Sequence, residues 1–313
     1  MKIYFYCDIE LPNYKDNPSA YSYLHGRHSA TGYYYWILKN HNVDVHIAHT
    51  KEQLSDADVV IFHYDNATDV VPLNCKKIQV VTDRPYIEGC DFYIAANKSI
   101  LTPKIDIDVV NRYGLENTAN TWLDNKDKWY FIHYPPTFGI KKCTPQFPPR
   151  NFKFVGRQHT MMLGMISQRF IKKCAEYNIN LQYDFVNDGN DGTEDVYFCV
   201  RNINCQGKHT GLECNAGKFG HRTANRLYQA WYMNTPGIFN LSPEMSVLRE
   251  TELDFLIANN KEEFLEQAIR LQNNKDLFYA MIENGNTKND INPYSNIEIV
   301  VDQWINIFAK CYE

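Results

Sequence analysis

The stretch Asp58-Val-Val-Ile-Phe-His63, introduced by Leu54-Ser-Asp-Ala57, constrains the fold more than any other part of this chain. Four apolar residues in a row cannot turn every second side chain toward water, so a strand built from them is buried on both faces. Such strands belong to parallel sheets covered by helices on each side. Comparable segments are expected as strands at 2–7, 43–48, 78–82, 92–95 and 129–133, besides 59–63 itself. After the first of them, a polar loop through Ser29 gives way to a helix over 30–41, where Tyr34, Ile37, Leu38 and His41 share one face at 3.6-residue spacing.

Around Tyr134-Pro135-Pro136 and Pro145-Gln-Phe-Pro148-Pro149 the periodicity stops, as it does in an interdomain linker. A chain of 313 residues also exceeds the length at which one core usually keeps growing. Two domains are therefore expected, 1–148 and 149–313. The second resumes the alternation, with strands at 151–155, 181–185, 196–200, 237–241 and 255–258 and helices at 161–177, 223–233 and 245–249. Three helical patterns close it, at 261–272, 275–284 and 295–312. The expected fold class is α/β, two Rossmann-like parallel-sheet domains facing a cleft at the carboxyl ends of their strands, where such sheets bind ligands.

Charge and composition narrow the function. Thirty-two basic against 37 acidic residues give a net charge of −5, which leaves no global footprint for nucleic acid or anionic membrane. No apolar run reaches the ~18–20 residues of a transmembrane helix. The start, Met1-Lys-Ile-Tyr-Phe-Tyr-Cys7-Asp8, turns acidic too soon for a signal peptide, so a cytoplasmic location is expected. Nine cysteines, an odd number at irregular spacing, read as buried thiols rather than a disulfide framework. The first βα turn holds only Gly26 and Gly32 in place of a G-x-G-x-x-G, which argues against a nicotinamide or flavin enzyme. Cys199, Cys205, Cys214 and His221 lack the paired spacing of structural zinc, and Asp106-Ile-Asp108 lies outside a strand-end setting, so no metal is expected.

The segment from Asp195 to Ala258 carries a family pattern. It runs from a strand ending in Arg201 to a basic turn feeding a helix, Arg222-Thr-Ala-Asn225-Arg226-Leu-Tyr-Gln-Ala-Trp231. Asn234-Thr-Pro-Gly237, Pro243-Glu244, Leu248-Arg249 and Leu253-Asp-Phe255 follow. This order resembles the donor-binding half of GT-B glycosyltransferases of bacterial-type surface-glycan synthesis, with Asn234 where that family usually has Gly. The resemblance implies a hexosyl- or pentosyltransferase that needs no cofactor or metal and moves a sugar from a nucleotide-diphosphate donor, a UDP- or GDP-sugar, to a hydroxyl of a glycan or glycoconjugate. It also implies that the last helix crosses back to the first domain, which takes the acceptor.

These residue types suit a diphosphate. A helix amino terminus offers free N–H groups and the positive end of the helix dipole, and Arg222 and Arg226 add charge-assisted hydrogen bonds, with Asn225 beside them. Lys218 is a supplementary clamp. Gly156, with Arg157, follows the first strand of the second domain and permits close backbone approach, and Arg201 ends another strand. Glu244 is a candidate for sugar or ribose hydroxyls; in many members of the resembled family a Glu in the helix after the phosphate turn binds the ribose, but that neighbourhood here has Gln229. An inverting reaction needs a general base on the acceptor hydroxyl. Asp83, after the strand Val80-Val-Thr, and His28, in the Gly26–Gly32 loop, are the candidates; Asp8, His63, Asp65 and His133 also end expected strands. The layout at Asp83 resembles the base-bearing segment of phage DNA β-glucosyltransferases. Three alternatives stand beside the glycan transferase: a sugar-nucleotide epimerase, a DNA-base glucosyltransferase, and a non-enzymatic two-lobed binding protein. In the last, aromatics such as Tyr33, Tyr34, Tyr35 and Trp36 would stack on sugar rings, although helical spacing makes some of these four core residues instead.

Overall fold

The computed structural model describes residues 1–10, 12–16, 26–81, 87–96, 127–134, 139–155, 164–184, 194–199, 224–241 and 243–313. Two wholly parallel sheets organise them. The first contains β1 (Ile3–Tyr6), β2 (His46–Ala48), β3 (Val59–His63), β4 (Lys76–Val81), β5 (Phe92–Ala95) and β6 (Trp129–Phe131), in the order β2-β1-β3-β4-β5-β6. The second contains β7 (Asn151–Val155), β8 (Asn180–Asp184), β9 (Val196–Cys199), β10 (Gly237–Phe239) and β11 (Leu256–Ile257), in the order β8-β7-β9-β10-β11. Both sheets thus place their second strand outside the first and the third on its other side. The winding reverses between β1 and β3 and between β7 and β9, and ligands bind beyond the carboxyl ends of strands at such points.

The apolar runs divide between two faces of the first sheet, as a doubly covered sheet requires. Ile3, Phe5, Val59 and Ile61 join one core with helix α1 (Gly26–Asn40), while Tyr6, Val60 and Phe62 join another with Val70 of the short helix α2 (Ala67–Val70). Helix α1 buries Tyr33, Tyr34, Tyr35, Ile37 and Leu38, and Trp36 is half-buried against the same cluster. The aromatic run thus packs into the core, as its helical spacing suggests, and does not form the stacking surface that the binding-protein alternative would use. The helix α8 (Glu298–Tyr312) packs on this sheet too, with Val300, Val301, Trp304, Ile307, Phe308 and Cys311 in the α1 core. Lys76 donates to the Cys311 carbonyl at 2.6 Å, which ties the helix's last turn to β4.

The second sheet is covered by α3 (Gln168–Glu176), α4 (Asn225–Met233), α6 (Lys261–Asn273) and α7 (Lys275–Thr287), with the short α5 (Pro243–Ser246) after β10. A Cβ added at Gly285 of α7 would stand 3.1 Å from Trp231 Cδ1 and 3.3 Å from its Cα, so glycine permits the close approach of α7 to α4. Of the described cysteines, Cys7, Cys90, Cys143, Cys174 and Cys311 are buried thiols and Cys75 is a half-buried one. No helix among the described residues is long and apolar enough to cross a membrane.

Several element limits differ from the expectation. Helix α1 starts at Gly26, so residues 26–29, expected as the end of the polar loop and including the candidate His28, are helical. Residues 26–29 hold no proline that would stop the helix from extending back over them. The helix expected over 161–177 begins only at Gln168, because Gly164 sits at φ +89° and the Ser167 side chain caps by accepting from the Phe170 amide. Pro243 starts α5 earlier than the expected 245–249, a position that proline favours. Helix α8 starts at Glu298 because the amides of Ser295 and Asn296 close a turn on the Asn292 carbonyl.

At the end of α4, Asn234 adopts φ 62°, ψ 34°, and its amide donates to the carbonyls of Ala230 and Trp231. This left-handed position explains why asparagine can stand where the resembled pattern has glycine. Asn234→Gly is expected to hold stability within a few tenths of a kcal/mol, whereas Asn234→Ala should lower it by about 1 kcal/mol. Urea denaturation of the three proteins checks this; equal midpoints for Ala and Gly would contradict it.

Candidate functional site

The crossover from β9 to β10 passes through α4. In such a unit the helix runs back against the strands, so its amino terminus lies at the carboxyl edge of the sheet, beside the reversal between β7 and β9. Its first turn has no acidic residue, and Ala224 makes no side-chain cap. Arg226 therefore adds a positive charge to the positive end of the helix dipole, an arrangement unfavourable unless oxygen acceptors or an anion compensate it.

Oxygen acceptors are present. The Arg226 Nη1 donates to Gln229 Oε1 at 2.8 Å and to the Tyr197 hydroxyl at 3.0 Å. The Tyr197 hydroxyl in turn donates to Gln229 Oε1 at 2.9 Å, closing a triangle between β9 and α4. Tyr197 and Gln229 are buried, and Arg226 is half-buried. Next to it, Asn225 Oδ1 accepts from the Tyr294 hydroxyl at 2.8 Å. Sequence reasoning singled out Asn225 and Arg226 but missed Tyr197 and Tyr294. Gln229 was visible three residues after Arg226, on the same face of the helix.

Helix α4 is also gripped by both connections between the two sheets. From the first connection, the His133 ring meets the Tyr228 ring edge-on at 5.5 Å, and the Cys143 amide donates to the Met233 carbonyl at 2.8 Å. From the second, buried Asn292 donates to the Tyr228 carbonyl at 3.0 Å, and the Tyr294 ring packs on Tyr232 at 5.7 Å. Burial pushes the Tyr228 phenol well above its ordinary range. His133 is itself anchored: its amide donates to Gln303 Oε1 of α8 at 3.0 Å, its Nδ1 lies 3.1 Å from the same oxygen, and its carbonyl accepts from the Tyr34 hydroxyl at 2.9 Å.

At the carboxyl edge of the first sheet, Asp8 is exposed just past β1, His63 is buried at the end of β3, and His49 Nδ1 lies 2.7 Å from the Cys7 carbonyl. The Tyr6 hydroxyl donates to Asp69 of α2 at 2.9 Å; burial first, then this carboxylate, holds the phenol protonated far above neutrality. His28 belongs to the first turn of α1. Asp83 lies outside the described residues, as do Gly156, Arg157, Arg201, Lys218 and Arg222; β7 and β9 end at Val155 and Cys199, just before three of them. The backbone of Glu244 belongs to α5. Among the described residues no group of three or more His, Cys, Asp or Glu side chains could hold a metal ion.

Two remaining pieces of the resembled pattern have structural work. Asp254 is buried, accepts from the amides of Glu250 and Thr251 at 2.7 and 2.9 Å, and takes a third bond from Asn284 at 2.9 Å. The Arg249 guanidinium lies 5.4 Å over the Phe255 ring, and its Nε donates to the Phe255 carbonyl at 3.4 Å.

No protein-family profile and no curated protein sequence matches the chain. Solved structures do. HepE of Anabaena, in complex with UDP, matches over 99% of this chain and 100% of its own, with TM-score 0.56 and 9% identity. HepE in complex with UDP-glucose gives the same TM-score and identity. AviGT4, a glycosyltransferase of avilamycin A biosynthesis, matches over 99% of both chains with TM-score 0.54 and 12% identity. The fold is GT-B. In GT-B terms β1–β6 with α8 form one lobe, and β7–β11 with α4 form the other.

Proposed function

We propose that this chain is a glycosyltransferase that moves a sugar from a nucleoside-diphosphate donor, a UDP- or GDP-sugar, to a hydroxyl of a glycan or glycoconjugate. The observation that carries the reading is the amino terminus of α4, where Arg226 and an acid-free first turn meet at the carboxyl edge of the second sheet. The full-length likeness to a GT-B protein solved with UDP supports it. In this reading residues 149–313 hold the donor and residues 1–148 the acceptor. Arg222, Arg226, Arg157, Arg201 and Lys218 surround the diphosphate, Asn225 and Gly156 let it approach backbone, and Glu244 meets sugar or ribose hydroxyls.

The chemistry follows from the charges. The acceptor oxygen attacks the anomeric carbon, the bond from that carbon to the diphosphate oxygen breaks, and the hydroxyl proton passes to a base, Asp83 or His28 in an inverting reaction. Negative charge grows on the departing diphosphate, where the helix dipole and guanidinium groups stabilise it without a metal. Thermal stabilisation across UDP-, GDP-, dTDP-, ADP- and CMP-sugars tests the reading, since a ligand bound only by the folded state raises stability. A selective shift with one donor, followed by release of its free diphosphate on adding acceptors, is expected. Arg222→Ala and Arg226→Ala should each weaken binding of that diphosphate about tenfold, the worth of a charge-assisted hydrogen bond. Unchanged affinity in both variants would sink the assignment, and binding without turnover would favour a binding protein.

A further inference from the structure

The triangle beneath Arg226 has a chemical consequence that its geometry makes specific. Gln229 Oε1 receives two hydrogen bonds, from Tyr197 at 2.9 Å and from Arg226 at 2.8 Å, which occupy both lone pairs of an amide oxygen. The Tyr197 hydroxyl donates to Gln229 and accepts from Arg226 at 3.0 Å, so its proton has one direction. A fully buried amide is unfavourable unless its polar atoms are bonded, and an apolar residue would fill the α4–β9 contact more simply. Both acceptors are neutral. They orient the guanidinium without cancelling its charge, whereas a carboxylate at either place would form an ion pair with it.

We propose that Tyr197 and Gln229 are positioning residues for diphosphate recognition: they hold the Arg226 guanidinium in one orientation at the start of α4, so that it meets the anion already oriented. The proposal rests on the reading of α4 as the donor site, and it assigns to Gln229 a role distinct from the ribose contact of a glutamate. It concerns the phosphate part of the donor alone. A long flexible arginine loses binding when its rotamers are released, and it loses more when a nearby carboxylate competes for it.

The test uses Gln229→Glu, Gln229→Met and Tyr197→Phe in the full chain, with circular dichroism and melting to verify folding. Tyr197→Phe removes one oxygen and keeps the ring, so it serves if the Gln229 variants do not fold. Wild type is first titrated with UDP and with GDP, and the diphosphate that binds is then compared with its nucleoside in every variant. Gln229→Glu should weaken the diphosphate roughly tenfold, the others several-fold, while the nucleoside changes less than about twofold. Equal losses for nucleoside and diphosphate, or no loss in any folded variant, would overturn the proposal and leave the triangle as packing. A folded wild type that binds neither UDP nor GDP would instead overturn the donor-site reading, and this inference with it.

Discussion

Lys153→Met is expected to lower the stability of the protein by about 3–5 kcal/mol, a large fraction of the ~5–15 kcal/mol that holds a typical domain folded. Lys153 lies in the middle of β7, and its ammonium meets Glu194 Oε1 at 2.8 Å, with both side chains almost wholly enclosed. The Cys143 thiol donates to the other carboxylate oxygen at 3.2 Å. Methionine keeps most of the side-chain volume, so the loss reports a buried carboxylate that has lost its ammonium rather than a cavity. Replacing both members, in Lys153→Met/Glu194→Leu, should recover most of the stability, because a buried pair exchanged for apolar side chains is often neutral. Urea denaturation of wild type, single and double variants decides it. If the double variant is as unstable as the single one, the damage lies in packing and the electrostatic account is wrong.

Trp304→Ala should cost a comparable ~3–5 kcal/mol and should act on one particular joint. Trp304 is fully buried, with its ring edge-on to Phe5 at 5.4 Å and to Tyr34 at 5.2 Å, and it is the central residue by which α8 grips the first sheet. Truncation opens a cavity between β1, α1 and α8. Hydrogen exchange over residues 298–312 should rise together with the fall in the urea midpoint. Trp304→Phe should be clearly milder, because it keeps an aromatic ring and removes a buried indole N–H that has no hydrogen-bond partner. Equal losses for Ala and Phe, or unchanged exchange in α8, would contradict this account of the anchor.

Much of the fold was legible because buried parallel strands write their burial directly into sequence. The apolar segments at 59–63, 92–95 and 151–155 coincide with β3, β5 and β7, and the Asn260 and Asn274 caps mark the starts of α6 and α7. Limits shifted where a local signal competes with tertiary contact. Residues 26–29 read as a polar loop by composition, yet α1, whose aromatic face is buried further along, extends back to Gly26. Tyr33, Tyr34 and Tyr35 looked equally suited to stacking on a ligand or to packing in a core, because a tyrosine ring serves both and only its neighbours decide.

The candidate site divides in the same way. Asn225 and Arg226 are legible, since a basic first turn opening a helix is a local pattern. Gln229 is legible as a neighbour at i+3, but its meaning depends on Tyr197, on a strand 32 residues before it. Tyr294 reaches Asn225 from 69 residues away, and His133 meets Tyr228 from the far side of the linker. None of those contacts has a sequence period.

The sequence by itself determined the class of architecture and the basic start of α4, because both are set by side-chain polarity and spacing within one segment. The tertiary structure alone decided that α4 is clamped by both connections and that Arg226 meets the oxygens of Tyr197 and Gln229. Those are meetings between distant segments, and hydrogen-bond partners and ring contacts are chosen only when packing brings the segments together.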